Sequence, residues 1–143
     1  MPYLFKQKFN VADLAKIPER KNRVLIFGSD VYLCQLYVSH LRMSSLDARH
    51  CARAELLGRA LTDFFPCLLV VDLDSLGGFG ESRLRWLNFK RDFPSLLVVT
   101  ISRNLDAQSV GKLMSAGVSS HINRNFSRPQ DVAEVVKVLL QEH

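Results

Sequence analysis

The 143-residue chain is poor in the residues that build specialised frameworks: three cysteines, seven glycines, five prolines and one tryptophan. Cys34, Cys51 and Cys67 are odd in number and form no CxxC, and no paired histidine spacing accompanies them. Neither a disulfide framework nor a zinc site follows, and buried thiols are expected. No run approaches the roughly 18 apolar residues of a membrane span. Lys6, Lys8 and Asp13 interrupt the apolar stretch that a signal peptide would need, so a cytoplasmic chain is expected. There is no internal repeat and no low-complexity tract. The GxGxxG dinucleotide fingerprint is missing too, since Gly28 stands alone after the first apolar run. The loop Gly77-Gly78-Phe79-Gly80 lacks the Lys-Ser/Thr that follows a phosphate-binding loop. Ser102 has no histidine base in sequence context to serve a hydrolase.

What is present describes one domain with an ordinary core: 48% hydrophobic and 23% charged residues with a net charge of +5. Such a balance excludes a disordered chain. The basic surplus is spread out. Its densest group, Lys16, Arg20, Lys21 and Arg23, is broken by Glu19 and has no interleaved aromatics, which argues against nucleic acid. Residues 1–22 read as an N-terminal extension in which Asn10 caps a short helix and Pro18 closes an apolar–basic mixture. They are an arm on the body or a contact surface.

From Arg23 the pattern becomes regular. Arg23-Val-Leu-Ile-Phe27 and Cys67-Leu-Leu-Val-Val71 are apolar runs suited to strands buried on both faces. Residues 48–52, 96–101 and 118–123 supply three more strands. Helical spacing covers residues 32–43, 53–65, 81–93 and 105–116. Gly117 reads as a C-cap, and Ser127-Arg-Pro-Gln130 as a capping box for a last helix. Five strand–helix alternations imply an α/β fold, a five-stranded parallel sheet doubly wound by helices, over residues 23–143. Functional groups of such sheets gather at the carboxyl ends of the strands.

Those ends carry Gly28-Ser29-Asp30, Asp72 with Asp74, Ser102, and Asn123-Arg124. Thirty positions separate Asp72 from Ser102, and twenty-two separate Ser102 from Arg124. With Ser115-Ala-Gly117 and Phe126, this spacing resembles the receiver domain of two-component response regulators, a CheY-like, flavodoxin-like fold. The resemblance implies a phosphoacceptor position at Asp72, a switch hydroxyl at Ser102, an aromatic-switch position at His121 and the family's lysine position at Arg124. In that family, acids after the first strand join the phosphoacceptor in holding Mg²⁺.

The sequence departs from the family at the same places. Gly28 and Ser29 stand where the paired acids belong, and Asp30 lies one position late. Arg124 replaces the lysine, Asn125 the proline after it, and Leu76-Gly77-Gly78 stands where a proline usually follows the phosphoacceptor. A guanidinium can clamp a carboxylate where an ammonium is a compact point charge. Arg124 is therefore expected to pair with Asp72 or Asp74 in the space a phosphoryl group would need. His40, His50 and His143 show no constellation and are expected to be solvated.

The reading is a degenerate, or pseudo-, receiver of a bacterial two-component-type pathway, with no catalysis of its own and no cofactor. It acts by contact with another signalling protein or an output domain, or as a homodimer, and expects no membrane and no nucleic acid for this domain alone. The expected contact face holds Arg103, Lys112, His121, Arg128 and Lys137 with Asp106, Asp131 and Glu134. Such a chain is a stand-alone adaptor or one domain of a larger regulator. The alternative is an authentic receiver in which Asp30 turns inward, Mg²⁺ binds and Asp72 is phosphorylated. A basic nucleic-acid-binding module ranks below both.

Overall fold

Apolar runs with no polar alternation are stable as strands only when both faces are covered, and the chain meets that demand with a central sheet. A computed structural model describes residues 21–76 and 88–142. Its strands are β1 (Arg23–Phe27), β2 (Asp47–Cys51), β3 (Leu68–Asp72), β4 (Leu97–Ser102) and β5 (Ser120–Asn123). All neighbours are parallel, in the order β2-β1-β3-β4-β5. The described helices are α1 (Val31–Met43), α2 (Leu57–Phe64), α3 (Phe89–Asp92), α4 (Ala107–Ser115) and α5 (Pro129–Glu142). The expected five-stranded, doubly wound α/β architecture is the one observed. The N-terminal extension up to residue 20, residues 81–87 of the helix expected over 81–93, the loop glycines and His143 lie outside the described residues.

Successive strand residues face opposite sides of the sheet, so each run feeds two cores at once. Val24, Ile26, Leu68, Val70, Val99 and Ile101 pack beneath α1 and α5 with Tyr37, Val38, Leu41, Val132 and Val136. Leu25, Phe27, Leu69, Val71 and Val98 face the other way, against Leu57, Leu61, Phe64 and Leu113. The order reverses between β1 and β3, where the chain winds first to one side and then to the other. That reversal opens a crevice beyond the carboxyl ends of these strands.

Helix ends follow the local chemistry. Asp30 caps α1 through Leu33 N at 3.1 Å, and Asp106 caps α4 through Ser109 N at 2.7 Å. Gly117, at φ 107°, closes α4. Its N–H donates to Met114, and Val118 N–H donates to Leu113, the paired bonds of a Schellman end. The last helix departs from expectation. Pro129 opens it, and the cap is the Arg128 N–H donating to Asp131 Oδ2 at 2.8 Å, so the reciprocal pair is shifted one residue from Ser127 and Gln130. Proline has no N–H and a φ already helical, which fixes it at the first helical position. Among the described residues, no helix is long and apolar enough to cross a membrane.

Leu61 is fully buried on one side of the sheet and Ile26 nearly so on the other. Leu61→Ala should cost about 3 kcal/mol and Ile26→Val about 1 kcal/mol in urea unfolding. Because the sheet separates the two cores, the double variant should equal the sum to within about 0.5 kcal/mol.

Candidate functional site

Asp72 ends β3 at the topological reversal and is 2% exposed. A buried carboxylate must find partners, and both oxygens have them. Oδ1 accepts the Asp74 N–H at 3.1 Å, and Oδ2 accepts the Ser75 hydroxyl at 3.1 Å. Arg124 Nη1 lies 3.7 Å from Asp72 Oδ2 and 3.5 Å from Asp74 Oδ2. Arg124 thus contacts both candidate acids with one nitrogen, where a fork on a single carboxylate was the chemical expectation. Asp74 Oδ2 also accepts the Arg103 N–H at 3.2 Å and its Nε at 3.4 Å. Burial pushes the Asp72 carboxyl above its ordinary range. Ser75, Arg124 and the Asp74 N–H oppose that rise, while the Asp74 charge adds to it.

The floor of the crevice is shaped by Gly28. A β-carbon there would meet Cys34 Sγ at 2.7 Å and Asp72 Cβ at 3.2 Å, so no side chain fits unless Cys34 moves. Cys34 is fully buried, and its thiol is pushed up to about 12, first by burial and then by the nearby Asp72 and Asp30 charges. It is an uncharged filler. Ser29 N–H donates to Ser75 Oγ at 2.8 Å, which links the end of β1 to Asp72 through one hydroxyl. Asp30, grouped with this pocket in the sequence reading, turns its Oδ1 to its own helix as the α1 cap. His50, expected in solvent, is half-buried. Its Nε2–H donates to the Gly28 carbonyl at 2.7 Å.

On the far side, Ser102 and His121 come together as their positions suggested, with Ser102 Oγ 3.3 Å from His121 Nε2. Thr100, fully buried, takes the other ring nitrogen at 2.7 Å. Burial lowers the His121 pKa and the Asp74 charge partly offsets this, so the ring bridges two hydroxyls as a neutral imidazole. Arg124 sits in a 3₁₀ turn held by the Asn125 N–H on Asn123 Oδ1 at 2.9 Å and by Asn125 Nδ2 on Asn104 Oδ1 at 2.9 Å. No cis peptide bond occurs among the described residues, so Asn125 follows Arg124 in the trans form.

A divalent cation held by the receiver set does not fit these side chains. Gly28 and Ser29 offer no carboxylate, Asp30 is engaged as a cap, and a guanidinium stands against Asp72 and Asp74. Among the described residues, no group of three or more His, Cys, Asp or Glu side chains is placed to hold a metal ion. Sequence reasoning missed Thr100, Cys34 and His50, whose roles arise from contacts across the fold, and Ser75, whose hydroxyl acts through its own turn.

Two measurements follow. Gly28→Asp should destabilise the fold by about 1–3 kcal/mol through the clash with Cys34. In a Cys34→Ala background the added penalty should shrink, and the double-mutant cycle reads that coupling directly. The raised Asp72 pKa means that the folded state binds its proton more tightly than the unfolded chain does. The carboxyl's contribution is therefore present below its ordinary pKa and is lost as pH rises through the folded value. Asp72→Asn should raise the melting temperature at pH 7 and lose that advantage below pH ~3.8.

No protein-family model and no curated protein matches the chain. Solved structures do match. A CheY-like receiver domain protein from Methanospirillum hungatei superposes with a TM-score of 0.72 at 18% identity, over 85% of this chain and 94% of its own. An orphan response regulator of H. pylori gives 0.73 at 15% identity, over 86% and 99%. An atypical orphan response regulator, described as revealing a phosphorylation-independent regulatory mechanism, gives 0.70 at 15% identity, over 83% and 95%. The chain has the fold of the CheY-like response regulator receiver domains, with Asp72 at the carboxyl end of its central strand.

Proposed function

We propose that the chain is a degenerate receiver of two-component-type signalling that works by protein–protein contact, without Mg²⁺-dependent phosphorylation of Asp72. The observation that carries this reading is the single Arg124 Nη1 lying 3.5 Å from Asp74 and 3.7 Å from Asp72, in a crevice where Gly28 has no room for a carboxylate. A guanidinium there compensates the two acids permanently, where a bound metal ion would do so only while it is present.

Two of the structural neighbours are orphan regulators, and one is described as working independently of phosphorylation. The latter supports a regulator whose output does not wait for a phosphoryl donor. The contact with an output domain or another signalling protein falls on α4, β5 and α5. Lys112 lies in α4 and Lys137 pairs with Glu134 on α5. The ion pair Arg128–Asp131 opens α5, and Phe126 stands beside it in solvent. A mixed polar rim with an exposed aromatic suits specific recognition.

Incubation with acetyl phosphate and Mg²⁺, followed by intact-mass measurement, tests this reading. No phosphoryl adduct is expected, either on the native chain or on Arg124→Lys, because the acids after β1 are still missing. Efficient labelling of Asp72 in the native chain would establish the phospho-accepting alternative instead.

A further inference from the structure

Helix α1 is apolar on two sides. Cys34, Tyr37, Val38 and Leu41 pack into the core, as one amphipathic face should. The opposite side carries Tyr32 at 78%, Leu36 at 36% and Met43 at 79% exposure. With exposed Ser39 these residues stand at i, i+4, i+7 and i+11, the spacing of a seam between two packed helices. The helix contains no acidic residue. Asp30 caps its start, and His40 and Arg42 lie in its last turn.

We infer that this seam is where a second copy of the chain packs, helix against helix and antiparallel about a twofold axis. The sequence 32-36-39-43 is symmetric about its midpoint. An antiparallel partner therefore brings Tyr32 against Met43 of the second copy and Leu36 against its Ser39, at both ends alike. Large faces small at the centre, which allows close approach, and a thioether meets an aromatic ring at each end. A self-complementary patch is what a twofold interface requires.

The charges agree with the same orientation. Antiparallel packing sets the basic last turn of each helix beside the Asp30-capped first turn of the other and opposes the two helix dipoles. Arg42 stays beside the last turn, with its Nε and Nη2 donating to the Ala48 carbonyl of the same chain at 3.2 and 2.9 Å. A parallel pair would instead place the two Arg42 side chains together. The contact is independent of the chemistry at Asp72, and it lies on a different helix from the α4–β5–α5 face assigned to output.

Light scattering of the full chain from about 1 to 100 µM tests the inference. The native chain should reach the mass of a dimer within this range. Ser39→Arg and Leu36→Lys, both at exposed positions, should weaken association about tenfold or more while leaving the circular dichroism spectrum and the melt at the lowest concentration unchanged. Val138→Lys, on α5, should leave the dimer intact. An equimolar mixture of Tyr32→Cys and Met43→Cys chains should oxidise to a cross-linked dimer that neither variant forms alone. A monomer throughout the range would overturn the inference. So would a dimer that survives both α1 charge substitutions, or one that Val138→Lys dissolves.

Discussion

A carboxylate buried at the end of the central strand is the constraint around which the carboxyl edge of the sheet is arranged. Asp72 has no access to bulk water to solvate its charge, so each neighbour is obliged to supply a donor or a cation. Two donors come from its own downstream turn, the Asp74 N–H and the Ser75 hydroxyl, because a 3₁₀ turn at residues 73–76 folds them back over the strand end. The cation comes from beyond β5. These three partners tie β1, β3 and β5 together through one side chain, since Ser75 also accepts the Ser29 N–H.

The cation's identity decides what the crevice can do. Asp74 shares Arg124 with Asp72 and also takes Arg103, so two acids face two guanidinium groups within the cluster. Charge is balanced by side chains alone. Removing Arg124 would leave the two acids without the cation they share, at a cost of about 3–5 kcal/mol for a fully buried pair and less here, where Arg124 is partly solvated. The arrangement is therefore self-sustaining. Gly28 follows from the same crowding, because Cys34 fills the space that a first-strand acid would use, and a filled floor has no need of a charged one.

Much of this was legible in the sequence, for identifiable reasons. Strands β1, β3 and β4 announce themselves as apolar runs because both sheet faces are covered, and the polar residues that stop them mark the crevice. Asp72, Ser102, His121 and Arg124 were found by spacing, and the structure brings Ser102 to His121 and Arg124 to Asp72. What was not legible depends on contacts at a distance. Nothing in Gly28-Ser-Asp30 says that a thiol six residues later closes the position. Nothing in His50 says that its edge strand lies beside β1, with the ring against the Gly28 carbonyl. The α5 cap was misplaced by one residue because Ser127 is the better capping side chain, while Pro129 decides the register. Ser75 read as loop because its hydroxyl acts only once the turn has formed.

His121 shows how a changed residue type alters a shared position. A phenyl ring there would offer its hydroxyl neighbours no nitrogen to bond. An imidazole instead makes directional bonds with both Thr100 and Ser102. Thr100 is fully buried and Ser102 nearly so, and swinging the ring out would strip both hydroxyls of this partner at once. The Ser102 hydroxyl meets the ring on the neighbouring strand β5. The two halves of the crevice are thus each satisfied internally. Asp72 and Asp74 share an arginine on one side, and Thr100 and Ser102 share a histidine on the other.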